Sequence, residues 1–203
     1  MKRYILAVLF AFLATVTFAQ QFDGGLIGGF NATQVDGDLY MGYHKPGIIL
    51  GAYVQTDIAP AIFASMEIKY SQKGARNQYD KNHPEEPKYI MRLGYIDIPI
   101  FLGFRTSDRI MVIAGASVGY LLHGNEYDNY DELPEEDRYE LNAFDVQGFA
   151  GFQFDLLDNV KLDLRMSYSF LPIAELPGST NSYWNDNLFN NVLSLALYYR
   201  LDR

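Results

Sequence analysis

Three histidines, His44, His83 and His123, are the side chains best suited to acid–base work or metal ligation near neutral pH. No two of them have the spacing of a zinc-binding pair, and the run His123-Gly124-Asn125 has no neighbouring serine. Cysteine is absent, which removes thiolate nucleophiles and sulfur-ligated zinc. All three histidines fall in or beside expected loops, where polar residues collect without catalytic purpose. A lipid-modifying hydrolase, of the kind that deacylates lipid A at a membrane surface, is therefore the alternative function rather than the leading one. Its signature would be activity abolished by His123→Ala.

Carboxylates form the second concentration of reactive groups. The stretch Gly124–Asn142 carries Glu126, Asp128, Asp131, Glu132, Glu135, Glu136, Asp137 and Glu140 against Arg138 alone. Oxygen-rich loops can hold Ca²⁺, but this one lacks the ligand order and the turn glycine of an EF-hand. Its composition predicts a solvated, mobile acidic loop. The run Gly24-Gly25-Leu26-Ile27-Gly28-Gly29 is followed by no lysine and no helix, so it reads as relief of crowding in a strand rather than a phosphate loop. No catalytic residue, cofactor site or metal site is expected. Acids outnumber bases 25 to 16, which argues against a nucleic-acid partner.

The third pattern is charge at every second position. Val160, Leu162, Leu164, Met166, Tyr168 and Phe170 alternate with Lys161, Asp163, Arg165, Ser167 and Ser169. Successive side chains of a strand point to opposite faces, so one face is apolar and the other charged. Ile62, Ala64, Met66, Ile68 and Tyr70 likewise oppose Ser65, Glu67, Lys69, Ser71 and Lys73. Phe144–Phe154 and Leu193–Leu201 repeat the pattern, and Ile96–Phe104 sets Ile96, Ile98 and Ile100 against Asp97. The spacing predicts eight strands: Gly24–Val35, Lys45–Asp57, Ala61–Lys73, Tyr89–Arg105, Arg109–Leu122, Ala143–Leu156, Val160–Leu171 and Asn191–Leu201.

Connections alternate in length. Asp57–Ala61, Arg105–Arg109 and Leu156–Val160 are tight, whereas Asp36–His44, Gly74–Lys88, His123–Asn142 and Pro172–Asn190 are long. Outward aromatics gather at both ends of the apolar face: Tyr70, Tyr120, Phe144, Tyr168 and Phe170 near the long loops, and Phe104, Phe152, Phe154 and Tyr199 near the tight turns. Tyr183-Trp184 in the last loop suits the same interfacial setting.

These features predict an all-β, eight-stranded, up-and-down antiparallel transmembrane barrel. A soluble lipocalin-like carrier shows the same alternation with its faces reversed, and stands as the second alternative. Charges of both signs on the polar strand faces favour the membrane reading, because they can pair inside a narrow barrel. The expected interior cluster is Glu67, Lys69, Asp97, Asp163 and Arg165. An eight-stranded interior is filled by side chains, which excludes a general porin.

The first residues read as a cleaved signal peptide, 1–19. Lys2 and Arg3 precede an apolar run from Tyr4 to Phe18, and Thr17-Phe18-Ala19 offers small residues at the cleavage positions. Residues 20–203 then form the barrel domain, with periplasmic termini and extracellular long loops.

Tyr43-His44-Lys45-Pro46-Gly47 leads into the second strand, Tyr70-Ser71-Gln72-Lys73-Gly74 ends the third, and Tyr95-Ile96-Asp97-Ile98-Pro99 sits in the fourth. With Gly24–Phe30 opening the mature chain, this series resembles the PorT-like outer-membrane β-barrel proteins of Bacteroidota. The resemblance covers essentially the whole mature chain. It implies an outer-membrane location, lipid contact and, through PorT's link to type IX secretion and gliding, other outer-membrane or secretion-machinery proteins as partners. It supplies no catalytic residues. Two features depart from general barrel rules. Pro99 has no amide hydrogen, which predicts a bulge there, and the chain closes on Leu201-Asp202-Arg203 rather than on an aromatic.

Overall fold

In the computed structural model, which describes residues 22–38, 42–77, 88–128, 131–176 and 186–201, alternation of polarity becomes strand geometry. The long strands are β1 (Phe22–Asp36), β2 (Lys45–Ala59), β3 (Ile62–Lys73), β4 (Tyr89–Arg105), β5 (Ile110–Asp128), β7 (Phe144–Leu157), β8 (Val160–Ser169) and β10 (Asn187–Arg200). Two-residue strands β6 (Asp131–Glu132) and β9 (Ala174–Glu175) lie between them, with a single 3-10 turn at Glu135–Asp137. Each long strand pairs antiparallel with the next, and β1 pairs with β10 to close the ring. Closure leaves the long strands without a free edge, which is what lets strands cross a bilayer with every backbone group satisfied.

One outward row shows the result. Ile62, Phe104, Val112, Phe152, Leu164, Leu195, Phe30 and Ile48 are successive cross-strand partners on β3, β4, β5, β7, β8, β10, β1 and β2. All eight are exposed. The row starts beside a tight turn and finishes near the long-loop end of β2, so the strands are strongly staggered, as a tilted barrel requires. Apolar surface this continuous exceeds what a soluble monomer tolerates. The polar faces turn inward: Glu67, Asp97, Asp145, Asp163 and Arg165 are all buried. That is the reverse of a lipocalin, so the soluble-carrier alternative is set aside.

Bulges fall in different places from the one expected. Pro99 stays in register with Ser117 on β5, and the β3–β4 register is the same on both sides of it. The missing amide removes a ladder bond without inserting a residue. Register instead shifts at Gly94/Tyr95, where His123 and Leu121 are the partners and Leu122 is the extra residue. Two further shifts, at Asp57/Ala59 and Asp155/Leu157, lie beside the turns Pro60-Ala61 and Asp158-Asn159. There they bend the strand into its turn.

Gly103 shows why glycine is needed on a curved inner wall. A Cβ there would lie 2.1 Å from the Phe63 ring, which is fully buried. Gly103→Ala should lower stability by about 1–3 kcal/mol through overpacking. An unchanged urea midpoint in detergent micelles would show that the ring can move aside.

β5 corrects the expected boundaries most. It runs six residues past Leu122 into the stretch read as a mobile acidic loop. Tyr127 and Asp128 pair with Glu132 and Asp131 on β6, and Arg138 bridges to Glu132 at 3.0 Å. Local hydrogen bonding thus gives an acidic segment an ordered hairpin. The expected signal peptide (1–19), His83 and Tyr183-Trp184 lie outside the described residues.

Candidate functional site: ion clusters inside the barrel

Arg165 occupies the middle of the lumen. It projects from β8 and reaches Glu67 on β3, with three long strands between them on either side of the ring. The guanidinium forks onto the carboxylate, Nη2 to Oε1 at 2.7 Å and Nη1 to Oε2 at 3.1 Å. Bidentate pairing of this kind fixes orientation as well as charge. Asp163, two positions before Arg165 on the same face, takes Nε at 2.9 Å and also accepts from Gln153 Nε2 at 2.8 Å. The Tyr198 hydroxyl donates to Glu67 Oε1 at 2.7 Å, and Lys69 Nζ stands 3.5 Å from Glu67 Oε2. Rings complete the cage, with the guanidinium 4.6 Å from the centre of Phe101 and 4.8 Å from that of Phe149. A pair that joins opposite walls, wrapped by rings, fills the section it crosses.

A second cluster lies toward the long loops. Lys73 Nζ donates to Asp97 Oδ1 at 3.0 Å and to Asp145 Oδ2 at 3.1 Å. Asp145 also accepts from Ser169 Oγ at 2.7 Å and Asn190 Nδ2 at 2.8 Å. The ammonium sits 4.6 Å from the centre of the Tyr95 ring. Each charge in this cluster has an opposite partner, and Asp145 has neutral donors besides, the condition under which buried ions are tolerated.

Above it the lumen is capped by apolar side chains. Val35, Ala75, Met91, Leu93, Ile173, Ala174 and Leu188 form one buried cluster, with Tyr139 and Leu141 packed against it. The segment carrying Ile173 is tied down by Asn142 N to Ile173 O (2.7 Å) and Ile173 N to Leu188 O (2.8 Å). Glu126 is part of this cap rather than of a solvated loop. It is 2 % exposed and accepts from the Tyr89 hydroxyl at 2.7 Å and the Tyr139 amide at 2.9 Å. Burial, then the nearby Glu126 and Asp38 charges, holds the Tyr139 phenol above its ordinary range.

Of the five residues expected in one interior cluster, the structure joins Glu67, Lys69, Asp163 and Arg165, and sets Asp97 apart with Lys73 and Asp145. Lys73 and Asp145 both sit at inward positions of alternating strands, where parity places them; their pairing across the lumen is what parity does not give. The inward rings Phe101, Phe149 and Tyr198 carry no such signal, because an apolar residue on the polar face reads as noise.

No hydrogen bond or ring contact joins the two described histidines, His44 and His123. His123 is exposed on the outer face and stacks on Tyr70, with ring centres 6.3 Å apart. His44 lies just before β2. No group of three or more metal-ligating side chains occurs among the described residues.

The outer face supplies a direct mutational test. Leu164 is exposed between Phe152 and Leu195. Leu164→Arg should cost about 2–4 kcal/mol in lipid, the expected cost of a cation near the bilayer midplane. A cost near zero would place this wall in water.

A closed ring of eight antiparallel strands, charged within and apolar without, defines an integral membrane β-barrel. The chain belongs to the family described as outer membrane protein beta-barrel domain, whose model matches residues 18–175. It is an outer-membrane β-barrel protein. No curated protein matches the sequence. Among solved structures, it resembles the attachment invasion locus protein Ail of Yersinia pestis, at 13% identity over 89% of this chain and 99% of that one, with a TM-score of 0.49. Neisserial surface protein A is similar at 13% identity, 89% and 97% coverage and a TM-score of 0.49. OprG from Pseudomonas aeruginosa follows at 10% identity, 90% and 95% coverage and a TM-score of 0.39.

Proposed function

We propose that this protein is a non-catalytic outer-membrane barrel that works through its long-loop end, as a docking or accessory component of an outer-membrane assembly. The observation that carries the reading is the Arg165–Glu67 pair across the lumen, with the apolar cap above it. A barrel filled in this way offers no wide aqueous path, so its useful surfaces are its ends and its wall. In this reading the termini and tight turns face the periplasm and the long loops face outward, as in barrels with this loop asymmetry. The motif resemblance to PorT-like proteins of Bacteroidota supports a secretion-related assembly as the setting.

Two measurements test it. In planar bilayers the purified protein should show no sustained conductance; a stable open channel would replace the docking role with transport. The chain has no cysteine, so single cysteines report orientation cleanly. Glu136→Cys should react with a membrane-impermeant maleimide on intact cells, and Ser107→Cys only after the outer membrane is opened. The opposite pattern would invert the barrel. For the secretion setting, deletion of the gene should impair protein export, and export at the normal level would remove that assignment.

A further inference from the structure

On the outer wall at the long-loop end, a cavity of about 430 Å³ collects the exposed Arg76, Arg92 and His123, with Lys45, which is buried and donates to Pro46 O at 2.9 Å, at its edge. Gln72 and Asn125 add neutral polar groups, and no carboxylate lines it among the described residues. Arg76 and Arg92 are both exposed, so two guanidinium side chains share one opening. Neither arginine makes a salt bridge to a described carboxylate. In a chain with excess acid, a basic cavity that no described carboxylate lines is out of keeping with its surroundings.

The bulge at Leu122 builds this site. Below it, the odd-numbered residues of β5 face inward, as Ile113 and Ser117 do; above it the parity reverses and Glu126 is buried. The extra residue thereby turns His123, Asn125 and Tyr127 outward beside Arg92, whose guanidinium lies 4.8 Å from the centre of the Tyr127 ring. Without the bulge this edge of the cavity would point into the cap.

Its height on the wall identifies the ligand. Tyr70, Ile96 and Tyr120 are cross-strand partners at the upper edge of the apolar band. Arg92 is four residues beyond Ile96, about 13 Å along the strand, and Arg76 is bridged to Ile90 beyond that. An outward cation cluster just past the outward tyrosines sits at headgroup level, while the apolar band beneath it can hold acyl chains. We propose that this cavity binds a phosphate monoester on the headgroup of an outer-leaflet glycolipid of the lipid A type. Guanidinium forks match phosphate oxygens, and the clustered cations balance the dianion. The assignment rests on the long loops facing outward, as proposed above.

Native mass spectrometry of the full-length mature protein in micelles tests it, with bisphosphorylated lipid A, enzymatically dephosphorylated lipid A, phosphatidylglycerol and inorganic phosphate as probes. Bisphosphorylated lipid A should be retained at least about tenfold better than the dephosphorylated form, and Arg76→Gln/Arg92→Gln should erase that preference while the barrel stays folded by gel mobility. Equal retention of the two lipid A forms would overturn the proposal. Equal retention of phosphatidylglycerol would show that anionic charge alone suffices, and saturation by inorganic phosphate alone would show a free-anion site. Either would overturn the glycolipid assignment. Should Arg76→Gln/Arg92→Gln fail to fold, Arg76→Lys/Arg92→Lys keeps the charge but loses the fork and should still weaken the preference; an unchanged preference there would overturn it. The assay reads binding without reference to orientation, so its failure is separable from an inverted labelling pattern in cells.

Discussion

Arg165→Leu should destabilise the folded barrel by about 3–5 kcal/mol, the cost of breaking a buried pair by removing one partner. The guanidinium is the shared counter-charge of Glu67 and Asp163, both buried, and only Lys69 would remain near Glu67. Leucine replaces the volume between Phe101 and Phe149 but neutralises neither carboxylate. The check is a urea unfolding midpoint in lipid vesicles for the wild type and the variant. Adding Glu67→Gln to Arg165→Leu should recover part of the loss, because one stranded charge is removed with its partner. A midpoint unchanged in Arg165→Leu would mean that water reaches this section of the lumen.

Lys73→Met should cost about as much, again about 3–5 kcal/mol. Its ammonium holds Asp97 and Asp145 together from β4 and β7. Ser169 and Asn190 would still donate to Asp145, whereas no described hydrogen bond to Asp97 from any other side chain accompanies that of Lys73. The asymmetry makes a second expectation. Asp97→Asn should restore more of the Lys73→Met loss than Asp145→Asn does, because Asn at 145 would disturb the bonds that Ser169 and Asn190 make there. Equal rescue by both would show that the two carboxylates share one environment. The two clusters lie in different sections of the lumen, so losses from Arg165→Leu and Lys73→Met should be nearly additive.

Local alternation made the strands legible. In β8 the residues from Val160 to Ser169 separate their faces without exception, and its polar face points inward. Alternation says which residues share a face. It does not say which meet across the lumen. Arg165 and Glu67 are 98 residues apart, and their meeting depends on the register of every intervening strand. For the same reason, alternation alone does not show that Asp97 bonds Lys73 rather than joining the Arg165 cluster. The β5 extension was hidden for another reason: an acidic composition favours solvation, and only the hairpin with β6 and the burial of Glu126 outweigh it. Pro99 predicts a bulge from its missing amide, whereas a single missing amide in a closed, heavily paired barrel is absorbed in register.

The central claim is that the apolar wall faces lipid and the charges face inward. Fractionation of native cells, followed by gel mobility with and without boiling, tests it most directly. The account predicts enrichment in the outer membrane, extraction only by detergent, and a band whose mobility changes when the barrel is unfolded by heat. Recovery in the soluble fraction, with the same mobility before and after boiling, would contradict it.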